Sequence, residues 1–151
     1  MLSALALAAS VAPAGITFTC TPTRVWDGDG PVWCVEGPRV RLSGIAARES
    51  DGTCRSNQPC PAATAEQARD TLVSLLGRAS GRSREGHVLV EGPPLSCRSL
   101  GNGKGQRTAA WCTSPRVGDV SCAMVASGTV LRWQRYWREH SCSRPVTFRT
   151  D

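Results

Sequence analysis

Several residue types and patterns are scarce in this sequence, and each shortage narrows what the chain can be. It has only two phenylalanines and one tyrosine against five tryptophans, so sites that stack ligands on aromatic rings are few. Beyond its first fourteen residues, no apolar run approaches the roughly 20 residues of a membrane-spanning helix. No internal repeat is visible, and none of the eight cysteines forms a Cys-x-x-Cys pair. A membrane-spanning domain and a zinc site are therefore disfavoured.

The eight cysteines in 151 residues are the strongest feature that is present. An even number of cysteines in so short a chain, without metal-ligand spacing, favours disulfides formed in an oxidising compartment. The N-terminus agrees with this. Residues 1–14 (MLSALALAASVAPA) are small, apolar and uncharged, and end in Ala-Pro-Ala. We predict a signal peptide or its remnant over residues 1–14, one domain over residues 15–151, and a secreted or periplasmic protein outside the membrane.

Basic residues outnumber acidic ones by six, and Lys104 is the only lysine among the eighteen basic residues. The planar guanidinium of arginine pairs with two phosphate oxygens at once, so this charge favours a polyanionic partner such as nucleic acid. A GC-rich genome also enriches arginine and is an alternative source of the same bias.

Apolar periodicity and turn residues predict five strands and three helices. The predicted strands are residues 16–26, 32–35, 39–45, 87–98 (interrupted at 92–94) and 107–113. The predicted helices are residues 62–76, 120–127 and 131–140. Polar connections are predicted at residues 46–61, 78–86 and 100–106. The order β-β-β-α-β-β-α-α predicts an α+β domain built on a five-stranded β-barrel with helices, the arrangement called an OB-fold.

Residues at the helix ends and on the last helix support these assignments. Gly77 and Gly128 are predicted to end the first two helices, and Asp119 to cap the second. The last helix carries an aromatic stripe at helical spacing, for which core packing is the expected role. The stripe consists of Trp133, Tyr136 and Trp137. We expect His87 and His140 to be structural.

Eight cysteines allow 105 pairings, and we predict one of them from the expected elements. Two pairs join strands, across the first hairpin and at the base of the glycine-rich loop; one closes a local ring, and one joins the last two helices. These pairs are Cys20–Cys34, Cys97–Cys112, Cys54–Cys60 and Cys122–Cys142.

Five short motifs occur in an order that is more specific than any of them alone. They are Asp27-Gly28-Asp29, Val40-Arg41-Leu42 followed by Glu49, the helix at 61–76, Gln106-Arg107, and residues 125–128. With these motifs the chain resembles the staphylococcal nuclease (thermonuclease) family from about Phe18 to His140, as a secreted, disulfide-rich bacterial member. The resemblance implies an OB-fold enzyme that hydrolyses DNA and RNA with calcium.

The resemblance also assigns roles to single residues. Arg41 and Arg107 correspond to the arginines that stabilise charge on the phosphate, and Glu49 to the carboxylate that orients or deprotonates the attacking water. Lys104 lies near a position that holds a terminal phosphate. Tyr136 is a further substrate-binding candidate.

For calcium, the resemblance implies Asp29 and the backbone carbonyl of Ala47 as ligands, with Asp27 as a further candidate. Ala46 stands where the family has a second calcium-binding carboxylate. Arg48, in place of a proline, adds a positive charge beside the site. Because calcium affinity follows ligand charge, this substitution predicts a weakened calcium site.

Each of these residues also has an ordinary structural role open to it. Arg41 could be a solvated strand residue, Arg107 could bridge to an acidic neighbour, and Asp-Gly is a common turn pair. Two functions therefore stay open besides a structural domain without a ligand. One is a secreted nuclease acting on DNA or RNA as a monomer. The other is an inactive OB-fold that binds single-stranded nucleic acid or another polyanion.

Overall fold

A computed structural model describes residues 10–142, which form a mixed α+β fold dominated by one large sheet. The strands are β1 (Thr17–Cys20), β2 (Pro22–Asp27), β3 (Gly30–Cys34), β4 (Arg39–Leu42), β5 (Ile45–Ala46), β6 (Arg78–Arg82), β7 (Val88–Glu91), β8 (Leu95–Asn102), β9 (Thr108–Ser114), β10 (Gly118–Asp119) and β11 (Leu131–Arg132). The helices are α1 (Ala65–Leu76), α2 (Val120–Ser127) and α3 (Gln134–Trp137). No helix within residues 10–142 is long and apolar enough to cross a membrane.

The large sheet has the strand order β1-β8-β9-β4-β3-β2-β7-β6, and β10 also pairs with β9. All neighbouring strands of the large sheet pair antiparallel, except β4 and β9, which pair in parallel. The small strands β5 and β11 form a separate pair. The predicted β-rich domain with helices is confirmed at this level. With β1 and β2 counted as separate strands, the hydrogen-bonded order is an open path that ends at β1 and β6, so the predicted five-stranded barrel is not shown.

Two predicted connections are wrong because pairing with the next strand along the chain turns part of each into a strand. Residues 78–82 were expected to be a polar connection, but they form β6, an exposed edge strand paired with β7. The strand β8 continues to Asn102, into the expected glycine-rich loop. A register shift between Ser99 and Gly101 accommodates this extension, and Gly101 takes a φ of 91° there.

The helices follow the prediction closely for α2 and less closely for the other two. Helix α1 begins three residues late, at Ala65, because Thr64 and Gln67 form a reciprocal capping box. Asp119 caps α2 as predicted by accepting from the N–H of Cys122, and Gly128 ends it in the left-handed conformation. The third helix is shorter than expected, because residues 131–132 pair with β5 as β11.

All four predicted disulfides are confirmed, and no cysteine of the described chain is free. Cys97 and Cys112 are direct partners in the β8–β9 ladder. Cys20–Cys34 ties β1 to β3. A disulfide stabilises mainly by restricting the unfolded chain, typically by about 2–4 kcal/mol.

The core lies between the sheet and helices α1 and α2, and its strands alternate accordingly. Val25, Val32, Val40 and Leu42 have no exposed surface and point into the core. The residues between them in sequence therefore face the opposite side of the sheet. This leaves the side chains of Arg24, Trp33, Arg39 and Arg41 on the outer face.

The end of the predicted signal peptide contacts the sheet. The N–H of Ala12 donates to Thr108 Oγ1 at 3.1 Å, and Ser99 Oγ donates to the carbonyl of Ala12 at 2.6 Å. Ser99 and Thr108 are both fully buried. Residues 1–9 lie outside the described residues, so the signal peptide itself stays a prediction.

Removing the segment that ends at Ala14 should destabilise the domain. A chain that starts at Gly15 loses the two hydrogen bonds that Ala12 makes with the hydroxyls of Ser99 and Thr108, and a hydrogen bond of this kind contributes about 0.5–1.5 kcal/mol. Urea unfolding should therefore show a lower free energy of unfolding for this chain than for one that starts at Ser10. Equal values for the two chains would contradict the expectation.

Candidate active site

One cleft of about 1130 Å³ gathers the side chains that the sequence singled out. They come from the β2–β3 turn, β4, the loop after β5, the β8–β9 loop and α3. The predicted residues in its lining are Asp27, Asp29, Arg41, Glu49, Lys104, Arg107 and Tyr136. Segments far apart in sequence thus supply one site.

Arg41 is held in a fixed position at the floor of this cleft. Its guanidinium donates to the carbonyls of Leu42 at 2.7 Å and Ile45 at 3.1 Å, and to Asp29 Oδ2 at 3.2 Å. Its side chain is only 20% exposed. An arginine fixed in this way needs little rearrangement to meet an anion, which is the property that electrostatic catalysis requires.

Asp27 and Asp29 are two buried carboxyls in a tight turn. The N–H of Asp29 donates to Asp27 Oδ1 at 3.2 Å, while Asp29 Oδ2 pairs with Arg41. Burial, with the nearby charges of Asp29 and Glu49, raises the pKa of Asp27 to about 9. At neutral pH burial therefore favours the protonated form of Asp27.

Glu49 is more accessible than Asp27 and Asp29, with a side chain that is 26% exposed. Its backbone is fixed by the N–H donated to the carbonyl of Thr53 at 2.9 Å. Its carboxylate lies 3.2 Å from Nε of Arg55, whose side chain is 64% exposed. An ion pair of this kind is weakened by solvent and contributes little. Glu49 can therefore exchange Arg55 for a water molecule at small cost.

Arg107 reaches the cleft because β9 runs parallel to β4. In this ladder Arg41 pairs with Ala109, so the residue that precedes β9 lies beside the outer face of β4. The backbone N–H and Nε of Arg107 both donate to the carbonyl of Lys104 at 3.1 Å. No carboxylate of residues 10–142 pairs with Arg107. Its charge is thus available to an anion.

The cleft also contains residues that were assigned no role in a site from the sequence. Arg98, Trp111, Trp133 and Arg138 line it. Strand alternation could have indicated Arg98. If the predicted strand had continued past residue 98, Arg98 would have been assigned to its outward face. Nothing in the helical periodicity indicated Arg138, which has a φ of 52° at the end of α3.

The aromatic stripe divides between core and cleft. Trp137 is 2% exposed and packs in the core, as predicted for the whole stripe. Tyr136 is 45% exposed, and with Trp133 it lines the cleft, so core packing is wrong for these two. His140 stacks on Trp111 with 3.6 Å between ring centroids and lies 2.7 Å from Asp119, which fits the structural role expected of it.

The donors expected to bind calcium fit that ion in chemical type. The carboxyl oxygens of Asp27 and Asp29 and the Ala47 carbonyl are hard ligands. Two of them already have protein partners, however: Asp29 pairs with Arg41, and the Ala47 carbonyl accepts from Gln58 Nε2 at 3.0 Å. Ala46 is fully buried yet lies outside the contiguous core cluster.

A second group of possible metal ligands is excluded by the disulfides. Asp119, Cys122 and His140 lie close enough together to share an ion. The sulfur of Cys122 is bonded to Cys142, so it cannot act as a thiolate ligand.

No family model, curated protein or solved structure matches this chain. The resemblance to the staphylococcal nuclease family therefore depends on the motif residues and on their convergence in one cleft.

Replacing Asp27 by asparagine should stabilise the protein at neutral and alkaline pH. The folded-state pKa of Asp27 is raised from 3.8 to about 9, so between these values the unfolded chain ionises while the folded chain keeps its proton. Ionisation therefore favours unfolding increasingly as the pH rises through this range. Asp27→Asn removes this effect, and at about 1.4 kcal/mol per pH unit we expect a gain of several kcal/mol at pH 8 that disappears near pH 4.

Urea unfolding of Asp27→Asn and wild type in chelator, at pH 4 and pH 8, measures this difference. Asp70→Asn is the matched control, because the Asp70 side chain is 64% exposed and should show no such gain. A difference between Asp27→Asn and wild type that does not change with pH would contradict the expected ionisation behaviour.

Proposed function

We propose that this protein is a secreted or periplasmic nuclease of the staphylococcal nuclease type, which hydrolyses phosphodiester bonds of DNA or RNA. The observation that carries the proposal is the meeting of Arg41, Arg107 and Glu49 in one cleft. Two arginines beside an accessible carboxylate are the groups that water attack on a phosphodiester needs.

In the proposed reaction, Glu49 orients the attacking water and accepts its proton. The water oxygen bonds to phosphorus, the opposite P–O bond breaks, and the leaving oxygen takes a proton from solvent. Arg41 and Arg107 stabilise the charge that builds on the other phosphate oxygens. Their permanent charge and forked geometry suit this role better than lysine would.

An OB-fold is part of the same proposal. Thr21 is the one residue between β1 and β2, so these two can be treated as one bent strand. Five pairings would then form a ring. They are β1 with β8, β8 with β9, β9 with β4, β4 with β3, and β3 with β2. This supports a small barrel of five strands with β6 and β7 added at one side.

The proposed location follows from the disulfides. Four of them join eight cysteines, which is typical of proteins that fold in an oxidising compartment. This supports secretion or a periplasmic location.

Calcium is the proposed cofactor, and Asp27, Asp29 and the Ala47 carbonyl would hold it. The ion would supply positive charge beside the phosphate. The raised pKa of Asp27 supports a site in which a cation offsets crowded carboxyls. Affinity should be low, because Ala46 supplies no carboxylate.

Ala46→Asp should therefore strengthen calcium binding by about tenfold or more, since ligand charge governs calcium affinity. Isothermal titration with calcium chloride measures the affinity, and Ala46→Asn is the control that adds volume without charge. Equal calcium affinities for Ala46→Asp and Ala46→Asn would contradict a calcium site beside residue 46.

The other candidate is an inactive module that binds single-stranded nucleic acid or another polyanion. It is favoured by the arginines Arg98 and Arg138 of the cleft, which no reaction role requires. It gives no reason for Glu49, because a carboxylate in the cleft repels a polyanion.

Nuclease activity of the purified, oxidised protein should depend on Glu49 and Arg107. We expect Glu49→Gln to lower kcat by about 10²–10⁴-fold, as for loss of a general base, and Arg107→Ala by about 10²–10³-fold. Arg116, which is exposed and outside the cleft lining, is the matched control for charge. Arg116→Ala should leave the rate within about twofold of wild type.

The assay uses single-stranded and duplex DNA and RNA, with calcium and with chelator. Cleavage that survives Glu49→Gln would remove the proposed role of Glu49 and leave the activity. Tight binding of oligonucleotides without cleavage by the wild type would favour the binding module instead.

A further inference from the structure

A second, smaller pocket of about 500 Å³ adjoins the cleft. Arg107 lines both, so one guanidinium belongs to the wall between them. The other residues that line the pocket are Trp26, Pro31, Trp33, Arg39, Glu85, His87 and Gly105. None of the roles implied by the nuclease resemblance falls on these seven residues.

Two of the residues that line this pocket, Trp33 and Arg39, belong to a stack of three side chains on the outer face of the sheet. Arg24, Trp33 and Arg39 are neighbours across β2, β3 and β4 in the strand register. The guanidinium carbon of Arg39 lies 3.8 Å from the centroid of the Trp33 ring, and that of Arg24 lies 4.7 Å from it. Cation–π contacts at these distances hold both arginines against the ring.

Trp26 supplies an accessible aromatic surface beside this stack. It is 38% exposed, although tryptophan is a residue that proteins usually bury. The ring of His87 packs edge-on against Trp26, with 5.0 Å between the ring centroids and 60° between the ring planes. Burial and the charge of Arg24 lower the pKa of His87, so its ring is neutral at pH 7 and adds no positive charge.

The charges around Trp26 and Trp33 are mostly uncompensated. Arg24 has a weak partner in Glu85, at 3.7 Å. Arg39 and Arg107 pair with no carboxylate of residues 10–142. Two guanidinium groups that no carboxylate of the described residues neutralises, beside an exposed indole, form the pair of features that bind single strands: positive charge along the backbone and an aromatic platform for a base.

We propose that this pocket is a second nucleotide subsite, which binds the nucleotide next to the one held in the cleft. Its base stacks on Trp26, and its phosphates contact Arg39 and Arg107. The inference rests on the proposed nucleic-acid substrate and deepens it, because a base can reach Trp26 only when it is unstacked. The preferred substrate is therefore single-stranded, at least two nucleotides long across the wall at Arg107.

The test measures binding with Glu49→Gln as the parent, so that the oligonucleotide is not cleaved. Fluorescence anisotropy follows labelled single strands of two and eight nucleotides and a duplex of eight base pairs. Trp26→Ala and Arg39→Ala are each added to the parent. Trp26→Phe keeps an aromatic ring, and Arg116→Ala removes one exposed charge away from both pockets.

We expect Trp26→Ala and Arg39→Ala to weaken binding of the eight-nucleotide strand by about tenfold, the size of a lost stacking or guanidinium contact. Trp26→Phe should restore most of the affinity, and Arg116→Ala should change it less than twofold. Arg39→Ala keeps the inference testable if Trp26→Ala does not fold.

Three results would overturn the subsite. Unchanged affinity of the long strand in both Trp26→Ala and Arg39→Ala would leave the pocket without a role in binding. If the variants lose the same affinity for the duplex as for the single strand, the pocket contributes positive charge and no stacking site. Failure of the parent to bind any oligonucleotide would remove the proposed function together with the subsite.

Discussion

The candidate site depends on the parallel pairing of β4 with β9. These strands are distant in sequence, and their ladder places Arg41 opposite Ala109. Since Arg107 immediately precedes β9, this register alone brings the second arginine to the face that carries the first. The disulfide between Cys97 and Cys112 then fixes β9 to β8. A shift of the β4–β9 register by one residue would turn the outer residues of one strand toward the core and separate the two arginines.

Features that are set within one segment of the chain could be predicted, and those that depend on a partner strand could not. The cap at Asp119, the end of α2 at Gly128 and the outward face of Arg41 follow from local rules of helix capping and strand alternation. The strand at residues 78–82 and the pairing of residues 131–132 with β5 exist only because a partner strand lies beside them. The polar composition of the first segment indicated a connection, and the helical spacing around the second indicated a helix.

The same distinction applies to the site. The sequence could predict which residues belong to the first part of the site, because the β2–β3 turn and β4 are close together along the chain. Their protonation was not visible: Asp27 is neutral at pH 7 because of burial and the charges of Asp29 and Glu49, all of which are consequences of packing. Likewise, the few aromatic residues predicted few stacking sites, yet the fold places Trp26 and Trp33 at one pocket, each within about 5 Å of the His87 ring.

Arg41 links phosphate binding to the charge of the carboxyls. In the structure its guanidinium already pairs with Asp29 at 3.2 Å. A phosphate that binds Arg41 competes for that guanidinium, and Asp29 then loses part of its countercharge while Asp27 and Glu49 lie close by. A buried carboxylate without a countercharge is costly, so a proton or a cation must take the place that Arg41 gives up. On the proposed function, substrate and calcium should therefore bind cooperatively, and the alanine at position 46 limits how strongly the cation can contribute.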